Sequence, residues 1–351
     1  MANIRDVAKA AGVSIASVSA ALNDTGRVGE ETRARIWAAV EAVGYSPNTI
    51  ARSLRLGRSQ LIGMVVGDIT NPFSASMVRI VEKVAIDRGY SVIVCNIDGD
   101  EERVPAILDQ LGGQNVAGIL LTPIGPRARL LEQIEARVRQ PLVTVDQRLP
   151  GLRRDYVGID NRWAMRMLVD YLLRFGHRRI ALISGRAGRW TADERYHGFV
   201  EAMQEAGLEA DPALCVRADY DGEGAYAATT RLLTQRERPT AIIGANNLIA
   251  LRILQSLIDL GFQCPADVSL VGMDDVPWSG LVRPRITIVA QPIEEIGRVA
   301  IEWLLERIEG ADRSIEPREK IFRPFFVAGE SCRHLRIDAD TAPEMEHAVS
   351  T

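Results

Sequence analysis

Residues 4–23 read IRDVAKAAGVSIASVSAALN, and this stretch sets the fold of the N-terminal part of the chain. Asn3, directly before it, can cap a helix, and Asp6 places a carboxylate in the first turn, at the positive end of the helix dipole. Gly12 can adopt the left-handed conformation that ends a helix. Ser14 can cap a second helix. Two short helices joined by a turn that contains glycine predict a helix-turn-helix.

A third helix is predicted to follow this pair. The three helices should cover Ile4–Ala11, residues 15 to about 22, and Glu30–Val43, with Gly44 as the final stop. Their apolar side chains would form one small core of Ile4, Val7, Ala8, Val13, Val18, Leu22, Ile36, Val40 and Val43. A core of this size confers little stability by itself. Three short helices alone are more typical of a packing module than of a DNA-binding unit, so the pattern leaves both functions open.

Charge is unevenly distributed along the chain. Residues 1–60 contain eight Arg and Lys residues and five acidic residues, a net charge of +3. Since the whole chain carries −4, the remainder carries −7. A basic head on an acidic body predicts a polyanionic partner for the head alone.

Composition indicates an ordinary globular protein, with 47% hydrophobic and 25% charged residues among 351. This length predicts two or three domains. The longest apolar runs, at 61–67 and 116–121, have the length of strands and are too short to span a bilayer. The first residues lack the apolar stretch of a secretory signal, and the four cysteines are scattered without a CxxC pair. We therefore expect a cytoplasmic protein with no membrane contact, metal site or cofactor.

Beyond residue 60, strand-like apolar runs alternate with amphipathic segments, which predicts an α/β fold with parallel sheets covered by helices. Met77, Ile80, Val81 and Val84 show the spacing of a helix face. The predicted strands are 61–69, 91–97, 116–121, 142–146, 179–184, 214–218, 241–244 and 269–272. Ligands of such sheets bind beyond the carboxyl ends of the strands. Polar and aromatic residues fall at those ends, namely Asp68, Asn71, Phe73, Thr122, Asp146, Arg148, Arg189, Trp190, Thr191, Tyr220, Asn246 and Asp274.

Several motifs resemble the lactose/galactose repressor family over about residues 3–332. They are the opening stretch, then GEETRARIWAAVEAVGYSPNTIARSLRLGRSQLIG, GDITNPF, DNR at 160–162, GHRRIALISG, RPTAI, PADVSLVGMDD and ITIVAQP. The resemblance implies a helix-turn-helix head, a hinge helix and a two-lobed periplasmic-binding-protein-like body. It implies a head at 1–46, a hinge helix and linker at 47–59, a body at 60–332 and a polar tail at 333–351. The body would comprise lobe 1 at about 60–160 and 290–322, and lobe 2 at about 161–289 and 323–332.

In this family the second helix enters the major groove of DNA. Its base-facing positions here would be Ile15, Ala16, Ser19 and Ala20, and Ala20 departs from the polar or basic residue of many members. Alanine and isoleucine cannot form bidentate hydrogen bonds with bases, but they can pack against thymine methyl groups. Phosphate or positioning contacts are expected from Ser14, Ser17, Asn23, Thr32, Tyr45 and Asn48. The hinge helix would contribute Arg52, Leu54 and Arg55, with Leu54 as a wedge in the minor groove.

The resemblance also implies that a sugar or sugar-derived effector binds between the lobes. The expected effector-binding residues are Asn71, Phe73, Thr122, Asp146, Arg189, Trp190, Arg195, Tyr220, Asn246 and Asp274. Arg195 could bind two hydroxyl groups at once, and Phe73 or Trp190 could stack on a sugar ring. Asn246 and Asp274 could instead be helix caps. Arg186 and Arg189 together favour an acidic sugar, such as a sugar acid or sugar phosphate.

The predicted function is that of a homodimeric repressor of a carbohydrate-utilisation operon, which binds operator DNA and is released by its effector. An effector that acts as co-repressor is the first alternative. An enzyme is the second, but the chain lacks GxSxG, HExxH, GxxxxGK[ST] and GxGxxG motifs, and its four histidines lie near no nucleophile in sequence. A transported sugar-binding protein would require a signal peptide. The tail has no leucine heptads, which favours a dimer over a tetramer.

Overall fold

The computed structural model describes residues 2–22, 28–45, 59–218, 223–310 and 316–335. The chain divides into two compact units, Met1–Gln60 and Leu61–Thr351. The predicted hinge helix and linker at 47–59 lie outside the described residues up to residue 58, and so does the predicted tail beyond residue 335, so both stay predictions.

The first unit contains helices α1 (Ile4–Ala11), α2 (Ile15–Leu22) and α3 (Glu30–Val43), as the sequence predicts. The Asn3 side chain accepts hydrogen bonds from the backbone N–H groups of Arg5 and Asp6, and the Asp6 carboxylate accepts from the Asn3 N–H. This reciprocal capping fixes the start of α1. Gly12 and Gly44 end α1 and α3 with φ of 65° and 61°, the left-handed region that glycine adopts most readily.

Eight buried residues form the core of this unit within the described chain: Val7, Ala8, Ala11, Val18, Ala21, Ile36, Ala39 and Val40. The predicted core residues Ile4, Val13, Leu22 and Val43 are partly buried at its margin. Half of the buried residues are alanines, so the core depends on a few larger side chains.

The second unit contains two sheets with six strands each among the described residues. The strands of the first sheet are β1 (Leu61–Val66), β2 (Ser91–Asn96), β3 (Gly118–Leu121), β4 (Leu142–Val145), β5 (Asp155–Ile159) and β11 (Glu319–Phe322). Those of the second are β6 (Ile180–Ser184), β7 (Cys215–Arg217), β8 (Ala241–Gly244), β9 (Ser269–Met273), β10 (Thr287–Ala290) and β12 (Phe325–Val327). The orders are β11-β5-β4-β3-β1-β2 and β12-β10-β9-β8-β6-β7, and β12 is antiparallel in otherwise parallel sheets.

Helices cover both faces of each sheet, as expected for parallel sheets. They are α4 (Pro72–Asp87), α5 (Val104–Gly113), α6 (Arg127–Arg137), α7 (Asn161–Arg174), α8 (Trp190–Glu205), α9 (Glu223–Leu233), α10 (Asn247–Asp259) and α11 (Ile293–Glu309). Buried residues of α4 and α11 pack on one face of the first sheet, and those of α5 and α6 on the other. In the second sheet, α7 and α8 cover one face, and α9 and α10 the other.

The described chain passes between the two sheets three times: after β5, after β10, and between β11 and β12. We call the part built on the first sheet lobe 1 and the part built on the second sheet lobe 2. Repeated crossing makes each lobe discontinuous in sequence. No helix among the described residues has the length and apolar character needed to cross a membrane.

Candidate functional site

Helix α2 presents a largely apolar exposed face. Ile15 is 46% exposed and Ala16 is exposed, whereas Val18 is buried in the core. Ser14 acts as the predicted cap, because its Oγ accepts a hydrogen bond from the Ser17 N–H over 3.0 Å. The other predicted contacts within the described chain, Ser17, Ser19, Ala20, Thr32 and Tyr45, are half-buried. Asn23, Asn48, Arg52, Leu54 and Arg55 lie outside the described residues.

A cavity of about 340 Å³ lies between the two lobes, at the carboxyl ends of their parallel strands. Among the predicted effector-binding residues, it is lined by Asn71, Phe73, Thr122, Asp146, Arg189, Arg195, Asn246 and Asp274. Tyr220 lies outside the described residues. Trp190 is not among the described lining residues, so its stacking on a ligand stays a prediction without support from the cavity. Its ring instead packs beside Arg148 of lobe 1, with the guanidinium carbon 5.8 Å from the ring centroid.

Three helices point their N-terminal ends at this cavity. Asn71, Arg189 and Asn246 are the residues that precede α4, α8 and α10, and all three line it. Asn71 and Asn246 are helix caps, since their side-chain oxygens accept from the Phe73 and Ile249 N–H groups over 2.9 and 2.8 Å. The positive ends of three helix dipoles favour negative charge in the cavity.

Two carboxylates and one guanidinium form the inner wall. Asp146 and Asp274 follow β4 and β9 with φ of 64° and 68°, a conformation that few non-glycine residues adopt. Burial raises the pKa of Asp146 to about 6, although Arg195 opposes this shift. Burial also raises the pKa of Asp274, against the effects of Arg195 and of a 2.7 Å hydrogen bond from Gln291.

Arg195 is held by the protein on two sides. It is 3% exposed, and its Nε and Nη1 donate to the Asn161 side chain and the Ala245 carbonyl over 2.8 and 2.6 Å. Two N–H groups of the guanidinium are therefore occupied by the protein. Fewer donors remain for the two ligand hydroxyl groups that the sequence-based expectation assigns to Arg195. Its main contribution is a fixed positive charge beside Asp146 and Asp274.

The outer part of the cavity carries opposite charges on the two lobes. Asp68 and Asp98 of lobe 1 line it, and so do Arg186 and Arg189 of lobe 2. With the inner wall included, the described lining residues contain four aspartates and three arginines, a formal net charge of −1. The carboxylates therefore oppose the sequence-based argument that Arg186 and Arg189 select an acidic sugar.

Two side-chain bridges cross between the lobes beside the cavity. The Asn247 Nδ2 of lobe 2 donates to the Asn71 Oδ1 of lobe 1 over 3.0 Å. On the other side, Gln147 of lobe 1 and Thr191 of lobe 2 form a reciprocal pair. Thr191 is one of the predicted strand-end residues, whereas Gln147 and Gln291 are not, because β10 was not predicted and Gln147 has no distinguishing spacing. The only available signal was that Gln147 follows a predicted site residue.

The comparisons with known proteins agree with this architecture. Residues 3–48 match the model of bacterial regulatory proteins, lacI family, and residues 169–332 match that of the periplasmic binding protein-like domain. The HTH-type transcriptional repressor PurR of Aliivibrio salmonicida is 32% identical over 335 residues, which cover 95% of this chain and all of the relative.

Two solved structures are similar over most of their length. A complex of the transcriptional regulator CelR with cellobiose has a TM-score of 0.70 and 29% identity, covering 94% of this chain and 100% of that one. A proposed ribose operon repressor from Burkholderia thailandensis has a TM-score of 0.69 and 31% identity, covering 77% and 99%. These similarities confirm the predicted fold and exclude the enzyme alternative. The chain belongs to the lacI family of bacterial regulatory proteins and is a DNA-binding transcriptional repressor.

Proposed function

We propose that this repressor acts in the cytoplasm as a homodimer on an operator with two-fold symmetry, and that a neutral monosaccharide bound between the lobes releases it. The regulated genes would then serve carbohydrate utilisation. The cavity is the observation that carries this proposal, because its hydrogen-bonding groups suit a small polyhydroxylated ring.

The lining residues match the chemistry of sugar hydroxyl groups. The carboxylates of Asp146 and Asp274 accept hydrogen bonds from hydroxyls, and the amide of Asn246 both donates and accepts. Phe73 supplies a partly buried aromatic ring for the apolar face of a sugar. A cavity of about 340 Å³ lies at the lower end of the usual range for small ligands, about 300–1,000 Å³, and favours a single ring.

The positive ends of three helices attract negative charge, but the aspartates of the cavity already supply it, so charge favours a neutral ligand over an acidic one. An anion would enter a cavity with four carboxylates, of which Asp274 is buried and Asp146 half-buried on the inner wall. Among similar proteins, CelR was solved with cellobiose, which supports a carbohydrate ligand. A purine base is the competing ligand class, because a planar heterocycle can stack on Phe73 and donate ring N–H groups to the same carboxylates.

A thermal-shift screen tests the ligand class. Saturation at about 100 times Kd stabilises the native state by about 2.7 kcal/mol, which should raise Tm by several degrees. We expect one or more neutral pentoses or hexoses to give the largest shift in a panel that also contains sugar acids, sugar phosphates and purine bases.

Asp274→Asn should weaken binding of that sugar at least about tenfold, since a charge-assisted hydrogen bond is lost. Asp275→Asn is the matched control, because the neighbouring carboxylate is exposed and bonds to the backbone of Val276. A larger shift with purine bases or acidic sugars would contradict the neutral-sugar assignment.

The dimer is supported by exposed apolar side chains on both lobes. Ile86 of lobe 1 is 58% exposed, and Ile258 and Leu281 of lobe 2 are 63% and 84% exposed. A second copy of the chain would remove such side chains from water. Two heads would then contact two half-sites of one operator, as in other helix-turn-helix dimers.

Operator binding should show a steep salt dependence. If two heads neutralise about 6–10 phosphates, affinity should fall about 10³–10⁵-fold between 50 and 200 mM salt, because bound counterions are released. Fluorescence anisotropy with a duplex selected from random sequences measures this slope and the stoichiometry, which we expect to be two chains per duplex. A flat salt dependence would contradict phosphate-dominated binding, and one chain per duplex would contradict the dimer.

Sequence readout should depend largely on apolar contacts. Ile15 and Ala16 present methyl groups to the major groove, which suits thymine, and offer no hydrogen bonds to guanine or adenine. The minor-groove roles of Leu54 and Arg55 stay predictions from the family resemblance.

Addition of the sugar to the complex with operator DNA shows whether the sugar is an inducer or a co-repressor. Weaker operator binding supports release by the sugar, and tighter binding would make the sugar a co-repressor.

A further inference from the structure

The connection between β11 and β12 presents a row of exposed side chains. Exposure alternates along it, as in a strand with one face in solvent, and the exposed members are Ile321, Arg323 and Phe325. Ile321 is 44% and Phe325 50% exposed, and Trp163 at the start of α7 is 41% exposed, with its ring centroid 5.6 Å from the Arg323 guanidinium carbon. We call these four residues the exposed strip. Large apolar side chains gathered in this way mark a surface that another segment can cover.

The exposed strip lies at the outer edge of both sheets. β11 and β12 are edge strands, at the opposite ends of their sheets from β2 and β7. On β11, the carbonyls of Arg318 and Phe322 accept hydrogen bonds from the Tyr156 and Asp160 N–H groups. Backbone groups alternate in direction along a strand, so those of Ile321 face away from β5. An edge of this kind suits the binding of an extended segment.

Charge at the exposed strip favours an acidic segment. Lys320 and Arg323 lie over the rings of Phe322 and Trp163, and neither forms an ion pair with a carboxylate of the described chain. The Asp160 carboxylate accepts instead from the Trp163 N–H over 2.9 Å, as the cap of α7. A segment that carries both carboxylates and apolar side chains therefore fits this surface.

The chain itself supplies a segment of this composition. Residues 336–351 read RIDADTAPEMEHAVST and lie outside the described residues. They contain one arginine and four carboxylates, a net charge of −3, together with the apolar residues Met345 and Val349. The 336–351 segment is thus complementary to the exposed strip in charge and in apolar character.

The last described residues place the start of the 336–351 segment near the exposed strip. The Leu335 N–H donates to the Phe175 carbonyl at the end of α7 over 2.8 Å, and the His334 ring stacks on that of Phe175. From there a row of rings leads through Tyr171 to Phe326, with successive centroids 4.0, 4.4 and 4.7 Å apart. Phe326 adjoins the exposed strip in sequence, so the row joins the end of the described chain to the strip.

We propose that the 336–351 segment docks on the exposed strip, with Glu344 and Glu346 near Arg323 and neighbouring apolar residues over Phe325 and Trp163. The row of rings spans at most about 13 Å, whereas five extended residues span about 16 Å, so residues beyond 340 reach the strip. None of the four strip residues is among the described lining residues of the cavity, so this docking is independent of the ligand.

Amide hydrogen exchange of residues 340–349, followed by NMR in the full-length protein, tests the docking. In the wild type we expect protection factors of about ten or more, because docked amides are shielded from solvent. Arg323→Glu replaces attraction with repulsion, and protection should fall at least about threefold. Phe325→Ser removes apolar contact area, and protection should fall about fivefold or more.

A charge exchange tests which groups meet. Glu344→Arg together with Glu346→Arg should lower the protection as Arg323→Glu does. This pair changes no residue of the described chain, so it tests the docking even if Arg323→Glu does not fold. All three changes combined restore opposite charges, and protection should return to within about twofold of the wild-type value.

Arg154→Glu is the matched control, since it makes the same change of charge elsewhere on lobe 1. Arg154 is exposed, directly precedes β5 at the end away from Trp163, and donates to the Arg153 carbonyl over 2.9 Å. Protection of residues 340–349 should stay within about twofold of the wild-type value in this variant.

Three results would overturn the docking. Wild-type amides that exchange as fast as those of an unstructured peptide would show that the 336–351 segment does not dock. Protection that survives both Arg323→Glu and Phe325→Ser would place the segment on another surface. Protection that rises over about a 50-fold increase in protein concentration would make the exposed strip a contact between copies, because attachment to the same chain fixes the effective concentration of the segment.

Discussion

Ile36→Ala is expected to unfold the N-terminal unit and to lower operator affinity by at least about 100-fold, while the ligand-binding body stays folded. Ile36 is fully buried, and four of the seven other buried residues of this core are alanines. Truncation of a buried isoleucine to alanine costs about 2–5 kcal/mol, which is close to the whole stability of a unit this small. Differential scanning calorimetry should show the loss of the transition that belongs to the head, and anisotropy should show the loss of operator binding.

Trp37→Ala provides the matched control for this prediction. Trp37 is the next residue on α3, and it is 47% exposed. Its removal should change the stability of the head by no more than about 0.5 kcal/mol, since exposed positions away from caps tolerate substitution. If Ile36→Ala retained wild-type operator affinity, the head would not depend on the three-helix core that the structure shows.

The three helices of the head could be predicted residue by residue because their ends are encoded locally. Asn3 and Asp6 bond to each other's backbone across one turn, and Gly12 and Gly44 stop the helices without help from distant residues. Signals of this kind need no knowledge of tertiary structure. Burial then follows from the spacing of the apolar residues.

The predicted strands follow continuous apolar runs, and two of the missed strands contain charged residues that interrupt such a run. The missed strand β5 begins with Asp155, a 2% exposed carboxylate that is bonded by Arg307 and Arg318. These partners lie more than 150 residues away in sequence, so no local pattern indicates that a charged residue can be buried at position 155. The missed strand β11 lies at a sheet edge and exposes most of its side chains.

The cavity residues were found because they follow strands, and the errors arose from neighbours of those residues. Trp190 lies beside the lining residues Arg189 and Thr191, whereas Gln147 lines the cavity itself and also bonds to the other lobe. Trp190 turns toward Arg148, and Gln147 toward Thr191, 44 residues away. Contacts of this kind depend on how two lobes meet, which the spacing of residues within either lobe does not encode.

Arg195→Met should destabilise the protein by about 3–5 kcal/mol at pH 8, because it leaves the buried Asp274 and the half-buried Asp146 without their cation. The loss should shrink as pH falls. Burial already raises the pKa of Asp146 from 3.8 to about 6 in the wild type, so its ionised form destabilises the folded state, and this penalty grows between these two pH values and is complete above about pH 6. Without Arg195 both carboxyl pKa values rise further, so a larger fraction of both groups is protonated in the folded state at pH 5 than at pH 8, and the added charge penalty is smaller at pH 5.

Urea unfolding at pH 5 and pH 8 measures this difference, and Arg162→Met is the control. Arg162 pairs with Glu194 and Glu201 on the surface, and its loss should cost less than about 1 kcal/mol at either pH. At pH 5, Arg195→Met should still cost about 1–3 kcal/mol, because the Asn161 side chain and the Ala245 carbonyl lose their hydrogen-bond donors. An equal loss at both pH values would mean that Arg195 stabilises the cavity through these two hydrogen bonds and not through its charge. Asp274 would then be held by its hydrogen bond from Gln291 and not by the charge of Arg195, and the preference for a neutral ligand would rest on Asp68 and Asp98 at the outer part of the cavity.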